Sequence, residues 1–229
     1  MDTSAESRWR RVAAHAATLA ATQHNLYCVQ MGDSVGSPKG SFAYRTFAAG
    51  RWGPFQDLEE EWDSSVCGAA LTGHDRTIWA AYSGVNNNNA VFVSSKDGGW
   101  SAPSRVPEAF TRKAPSLAFG LDRLWMTLTK DDASMRTGWR SDDGSWQWKD
   151  GPAGTSQNGP VLHFDGTTLW AAHTDPDGQP RLSRRINTTS TSPGDWSAPT
   201  PIGGDTSPTV LDTPGLITYQ GRMYAFYHA

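Results

Sequence analysis

Five residues of different chemistry recur at one place in a repeated pattern: His15, Cys67, Lys113, Asn158 and Asp212. Each stands four positions before a leucine (Leu19, Leu71, Leu117, Leu162, Leu216), and each is followed by a small residue: Ala16, Gly68, Ala114, Gly159, Thr213. Side chains on a β-strand alternate with a period of two, so positions four apart share a face. An imidazole, an amine and a carboxylate converging in a partly enclosed mouth can shift one another's pKa and serve as acid and base. The bland reading is that each is a solvated residue at the start of a strand, where polar side chains are common. Spacing alone defines no nucleophile–base pair.

A second set of candidates lies in polar loops. MGDSVGSPKGS, GVNNNNA, KDDASM and DPDGQP follow the first four repeats. Asn and Asp suit hydrogen bonds to sugar hydroxyls and equally suit ordinary turns. Trp62, in the acidic segment EEEWDSS, could stack on a sugar ring or anchor its loop over the core. Asp175-x-Asp177-Gly178 hints at calcium but lacks the distal Glu and other ligands of an EF-hand loop. Glu60, Asp132 and Asp212 are candidate carboxylates for glycoside hydrolysis, which needs two at a set separation, but nothing in the sequence pairs them. There is no G-x-S-x-G, H-E-x-x-H, Walker loop or Rossmann fingerprint. Neither a metal nor another cofactor is implied.

The elements that must position these residues are five copies of one plan: APSLAFGLDRLWMTLT (114 to 129) and its counterparts at 16 to 31, 68 to 83, 159 to 174 and 213 to 228. Each is a short apolar run, a turn and a second apolar run, with an aromatic at one fixed place: Tyr27, Trp79, Trp125, Trp170, Tyr224. A repeat of this length built from short strands signals a β-propeller. The two runs are strands A and B of a blade. Third strands, C, are expected at 41 to 47, 90 to 95, 136 to 141 and 181 to 186, followed by turns in which Gly50, Gly98, Gly144 and Gly194 supply positive φ before fourth strands, D, that begin at Trp52, Trp100, Trp146 and Trp196. The B-strand aromatics are expected to pack between blades. Trp9 continues the tryptophan series, so an N-terminal strand is expected to complete the last blade and remove a sheet edge. The Ala-rich stretch 12 to 22 falls in register and reads as strand. In propellers the D–A and B–C loops share one face, where the A strands begin around the central channel. There the five variable residues would ring a single mouth.

The elements S-x-D-G-x-W (Ser95 to Trp100, Ser141 to Trp146) and W-S-x-P (Trp100 to Pro103, Trp196 to Pro199) resemble the repeats of bacterial propeller lectins of the fucose-binding type, and also the Asp-box of sialidase-like propellers. The likeness covers the four C–D hairpins, and its motifs serve mostly turn formation. Two hairpins lack the Asp, and the motifs do not place the arginine triad and Tyr–Glu pair that a sialidase resemblance implies.

Composition bounds the rest. The repeats run through all 229 residues without a linker, so one all-β domain, 1–229, is expected, and 11 Trp and 23 Gly with 19% charged residues fit it. A net charge of −3 offers nucleic acid no footprint. No apolar run reaches the roughly 18 residues of a membrane span. The opening MDTSAESRWRR has no apolar core of a secretory signal, and two cysteines form no disulfide framework, so a cytoplasmic setting is expected. The leading expectation is a five-bladed carbohydrate-binding propeller, lectin-like and without turnover. The alternative is a small-molecule enzyme, acting by acid–base catalysis or cyclisation, with one asymmetric site at the channel mouth; a protein-interaction platform is third. A glycan or other small molecule is the expected ligand, and the sequence leaves oligomeric state open.

Overall fold

The computed structural model describes residues 17–33, 40–58, 62, 65, 67–186, 196–203 and 209–228. Trp9, His15, Glu60 and Gly194 lie outside them, and with them the expected N-terminal closing strand. The chain divides into two compact units, Met1–Phe110 and Thr111–Ala229.

The first unit holds two antiparallel sheets. One contains β1 (Thr18–Ala21), β2 (Leu26–Asp33), β3 (Gly40–Ala48), β4 (Arg51–Trp52) and β5 (Gln56–Asp57). The other contains β6 (Ala70–His74), β7 (Thr77–Gly84), β8 (Ala90–Asp97), β9 (Gly99–Trp100) and β10 (Ser104–Phe110). Their facing sides, among them Tyr27, Val29, Met31, Phe42 and Tyr44 from one and Leu71, Ile78, Ala80 and Tyr82 from the other, form one core. The first strands lie against each other: a Cβ on Gly73 would stand 1.8 Å from the Ala21 carbonyl oxygen, and the Thr18 hydroxyl donates to the Ala69 carbonyl at 2.7 Å.

The second unit repeats the plan. Its sheets are β11 (Ser116–Gly120) to β12 (Arg123–Thr129), β13 (Ser134–Arg140) and β14 (Trp146–Thr155); then β15 (Val161–Phe164), β16 (Leu169–Thr174), β17 (Pro180–Arg184) and β18 (Thr200–Pro201); then the pair β19 (Gly215–Tyr219) and β20 (Arg222–Phe226). Ala118, Trp125 and Trp139 pack against Leu162, Leu169 and Ala171 between the first two of these sheets. On β19 and β20, Ile217, Tyr219, Tyr224 and Phe226 are exposed.

All five A–B hairpins share one register: Leu19 pairs with Cys28, Leu71 with Ala80, Leu117 with Met126, Leu162 with Ala171 and Leu216 with Ala225. This is the spacing the repeats predict, since a one-residue slip would turn every apolar side chain to the wrong face. Gly50, Gly98 and Gly144 have positive φ as the hairpin turns require. Of the stretch 12 to 22, Thr18–Ala21 is strand, as its place in the repeat predicts, and 12–16 lie outside the described residues. The B-strand aromatics are less uniform than expected. Tyr27 and Trp125 are core residues, whereas Tyr224 is exposed.

Candidate site at the innermost strand starts

In the second unit the three strand starts lie side by side. A Cβ on Gly159 would stand 2.1 Å from the Ala114 carbonyl oxygen, and the Thr213 hydroxyl donates to the Gly159 carbonyl at 2.6 Å. Ala114, Gly159 and Thr213 directly follow Lys113, Asn158 and Asp212. The small residue at Gly159 therefore has a steric cause: two main chains approach too closely for a side chain.

Around these starts, side-chain hydroxyls hold the main chain. Thr111 accepts the Lys113 N–H at 3.1 Å. The Asn158 carbonyl accepts from Ser156 at 2.6 Å and from Thr129 at 3.0 Å, and the Asp212 carbonyl accepts from Thr174 at 2.8 Å. The Asn158 carboxamide donates to the Leu211 carbonyl at 3.1 Å. Lys113 and Asp212 are exposed and Asn158 is half-buried. The hydroxyl positions escaped notice in the sequence, although two signals marked them. A Ser or Thr stands two residues before the variable position at Ser65, Thr111 and Ser156, and a hydroxyl residue lies at the same place near the end of strand B in Ser83, Thr129 and Thr174.

In the first unit Cys67 is half-buried, and its N–H donates to the Ser65 hydroxyl at 3.2 Å. Trp62 is a core residue. It is 4% exposed, stacks on Tyr82 at 4.9 Å between ring centroids, and meets Trp100 and Phe42 edge-on at 5.1 and 5.3 Å. Of its two expected roles, this is the loop anchor.

The loop carboxylates shape turns. Asp132 accepts the Ser134 N–H and hydroxyl, which hold its carboxyl below the usual range. Asp175 accepts from the backbones of Asp177 and Gln179 and from Arg181 Nε at 2.7 Å, so its oxygens are occupied without a metal. Burial works to raise the Asp165 carboxyl, but hydrogen bonds from the Trp170 indole and from Thr167 and Thr168 outweigh it and hold it at about 2. The Asn run serves geometry as well, with Asn88 and Asn89 both left-handed. Among the described residues no three His, Cys, Asp or Glu side chains gather to hold a metal ion.

Two histidines sit in the second unit. His163 Nε2 lies 2.7 Å from the Thr218 hydroxyl, across adjacent innermost strands, and desolvation lowers its pKa despite the nearby Asp165 charge. His173, beside Thr174 on β16, is 1% exposed. Its desolvation lowers the pKa to about 4, Asp175 opposing and Arg181 reinforcing the shift.

Chemically, the described strand starts of the second unit offer an ammonium, a carboxamide and a carboxylate. Asp212 is the one carboxylate among them, so they form no two-carboxylate pair, and any acid–base work there would join unlike groups.

No protein-family model matches the chain, and no curated protein matches it. Solved structures do. A GH43 β-xylosidase/α-arabinofuranosidase from a compost microbial metagenome, in complex with xylotriose, superposes with a TM-score of 0.60 at 11% identity, over 92% of this chain and 84% of that one. A GH43 endo-arabinanase from Bacillus licheniformis matches with 0.58 at 12% identity, over 90% and 85%. Trypanosoma rangeli sialidase matches with 0.60 at 10% identity, over 91% of this chain and 42% of the sialidase. At such identities the likeness is one of fold, and the fold is an all-β propeller. The leading expectation from sequence is corrected here. These propellers are named as glycosidases and a sialidase, not as lectins of the fucose-binding type, so a lectin without turnover gives way to the enzyme alternative.

Proposed function

We propose that the chain is an enzyme that cleaves glycosidic bonds, built on a five-bladed propeller with one blade for each A–B hairpin, and that its site lies at the starts of the innermost strands. The observation that supports it is the combination of a glycosidase-type fold with strand starts that differ in chemistry. A set of equivalent binding sites would repeat the same side chains in every blade. Lys113, Asn158 and Asp212 do not, which suits one asymmetric site where each group has its own task.

In this reading Asp212 takes a proton from the attacking water, whose oxygen bonds the anomeric carbon as the glycosidic C–O bond breaks, Lys113 gives a proton to the departing oxygen, and the Asn158 carboxamide oxygen accepts a hydrogen bond from a sugar hydroxyl. A glycan substrate supplies such hydroxyls. The test is an assay of the purified protein on xylotriose, arabinan and a sialylated glycan, with newly released sugars and reducing ends measured. Turnover that falls at least roughly a hundredfold in both Asp212→Asn and Lys113→Met is the expected result. Full activity in both variants moves the site elsewhere, and no turnover on any substrate overturns the enzyme reading.

A further inference from the structure

We propose that Thr129 and Thr174 are positioning residues: their hydroxyls aim Asn158 and Asp212, leaving the Asn158 carboxamide oxygen to accept a hydroxyl of the ligand. This rests on the site assignment above. Both threonines lie in the last position of a B strand, on β12 and β16, and both are buried. A strand end of this kind is served as well by valine, which has the same shape and high β propensity. What the hydroxyl adds is a hydrogen bond to a neighbouring repeat. Thr129 donates to the Asn158 carbonyl and Thr174 to the Asp212 carbonyl.

The consequence is clearest at Asn158. A carbonyl oxygen has two lone pairs, and here Thr129 and Ser156 occupy both. With the peptide pinned from two directions, the direction of its Cα–Cβ bond is set. The carboxamide nitrogen then reaches the Leu211 carbonyl at 3.1 Å, one residue before Asp212. Among the described residues the carboxamide oxygen has no donor, so what it offers a ligand is an acceptor. That fits a sugar hydroxyl and does not fit a carboxylate or phosphate oxygen. Because Asn158 is tied to Leu211 while Thr174 holds Asp212, the two strand starts move as one body. A change at Thr174 must therefore be felt at Asn158, since its hydroxyl holds Asp212 and its carbonyl accepts the N–H of the neighbouring Gln157 at 3.0 Å.

The experiment uses Thr174→Val, which keeps the shape and removes the hydroxyl, with Thr174→Ser as its rescue. In 15N-labelled full-length protein, the Asn158 carboxamide pair should shift or broaden in Thr174→Val and return in Thr174→Ser, while the backbone amide of Met126, in the core of β12, stays in place. In parallel, kcat/KM on xylotriose should fall by roughly tenfold or more in Thr174→Val and recover in Thr174→Ser, since small misplacements of site groups are costly. An unmoved Asn158 carboxamide in Thr174→Val overturns the proposal whatever the activity. If the wild type does not turn over xylotriose, arabinan or a sialylated glycan, the enzyme reading fails by itself and the carboxamide signal still decides the positioning role.

Discussion

The Arg185 guanidinium lies 4.5 Å from the centroid of the Trp125 ring, in a layer between two sheets where the two residues are 2% and 1% exposed. The indole also donates to the Gly120 carbonyl at 2.8 Å. Trp125 thus fills the core, closes its own hairpin and covers one face of a buried cation. Trp125→Ala should cost about 3–5 kcal/mol in urea unfolding. A loss under about 1 kcal/mol would remove it from the structural core.

Gly159→Ala tests the close approach of the strand starts. The added Cβ would meet main-chain atoms of Ala114 rather than the end of a flexible side chain, so one strand must shift. A destabilisation of about 1–3 kcal/mol is expected, together with a loss of activity in any assay the wild type supports. Wild-type stability in the variant would show that the two starts are not held together in solution.

His173 sets an acid limit. Its pKa is depressed from 6.5 to about 4 by burial, so between these values the unfolded chain takes up a proton that the folded chain refuses. Stability is therefore full above about pH 6.5 and declines as pH falls toward 4, by on the order of 3 kcal/mol from this group. His173→Leu, which places here the residue type found at the matching Leu128, should flatten the stability profile across that window. An unchanged slope would assign the acid sensitivity to other groups.

Asp165 acts in the opposite range. Its carboxylate accepts the Trp170 indole N–H at 2.7 Å and closes the β15–β16 turn through Thr167 and Thr168. A folded pKa near 2 against an ordinary 3.8 means that its contribution is present above 3.8 and is lost as pH drops toward 2. Asp165→Asn should cost about 1–2 kcal/mol at neutral pH, and the loss should vanish near pH 2. A neutral substitution would show that the turn forms without the charge.

Trp62→Ala should destabilise by about 3–5 kcal/mol, because the ring is enclosed by Phe42, Tyr82 and Trp100. If stability holds and glycan binding disappears instead, Trp62 is a contact residue.

The repeat register was legible in the sequence because it is a local property. A period-two strand with one buried face tolerates no slip, so the spacing of Leu71 from Ile78, or of Leu162 from Leu169, already carried the pairing of Leu71 with Ala80 and of Leu162 with Ala171. The turn glycines Gly50, Gly98 and Gly144 followed for the same reason, since positive φ is a demand of the hairpin itself. What the sequence could not supply was any relation between side chains of different repeats. Trp62 looks the same in one dimension whether its loop folds outward or over Tyr82, and only the packing of Phe42, Tyr82 and Trp100 put it in the core. The Asp loops read as sugar ligands or as turns until Ser134, Gln179 and Arg181 were seen to occupy the oxygens of Asp132 and Asp175. Thr129 and Thr174 were missed because a hydroxyl at a strand end acquires meaning from its acceptor, and those acceptors, the carbonyls of Asn158 and Asp212, lie in the next repeat, 29 and 38 residues along the chain. Local periodicity determined the strands and their pairing within each hairpin; contacts between repeats decided which polar residues are scaffold and which remain free to meet a ligand.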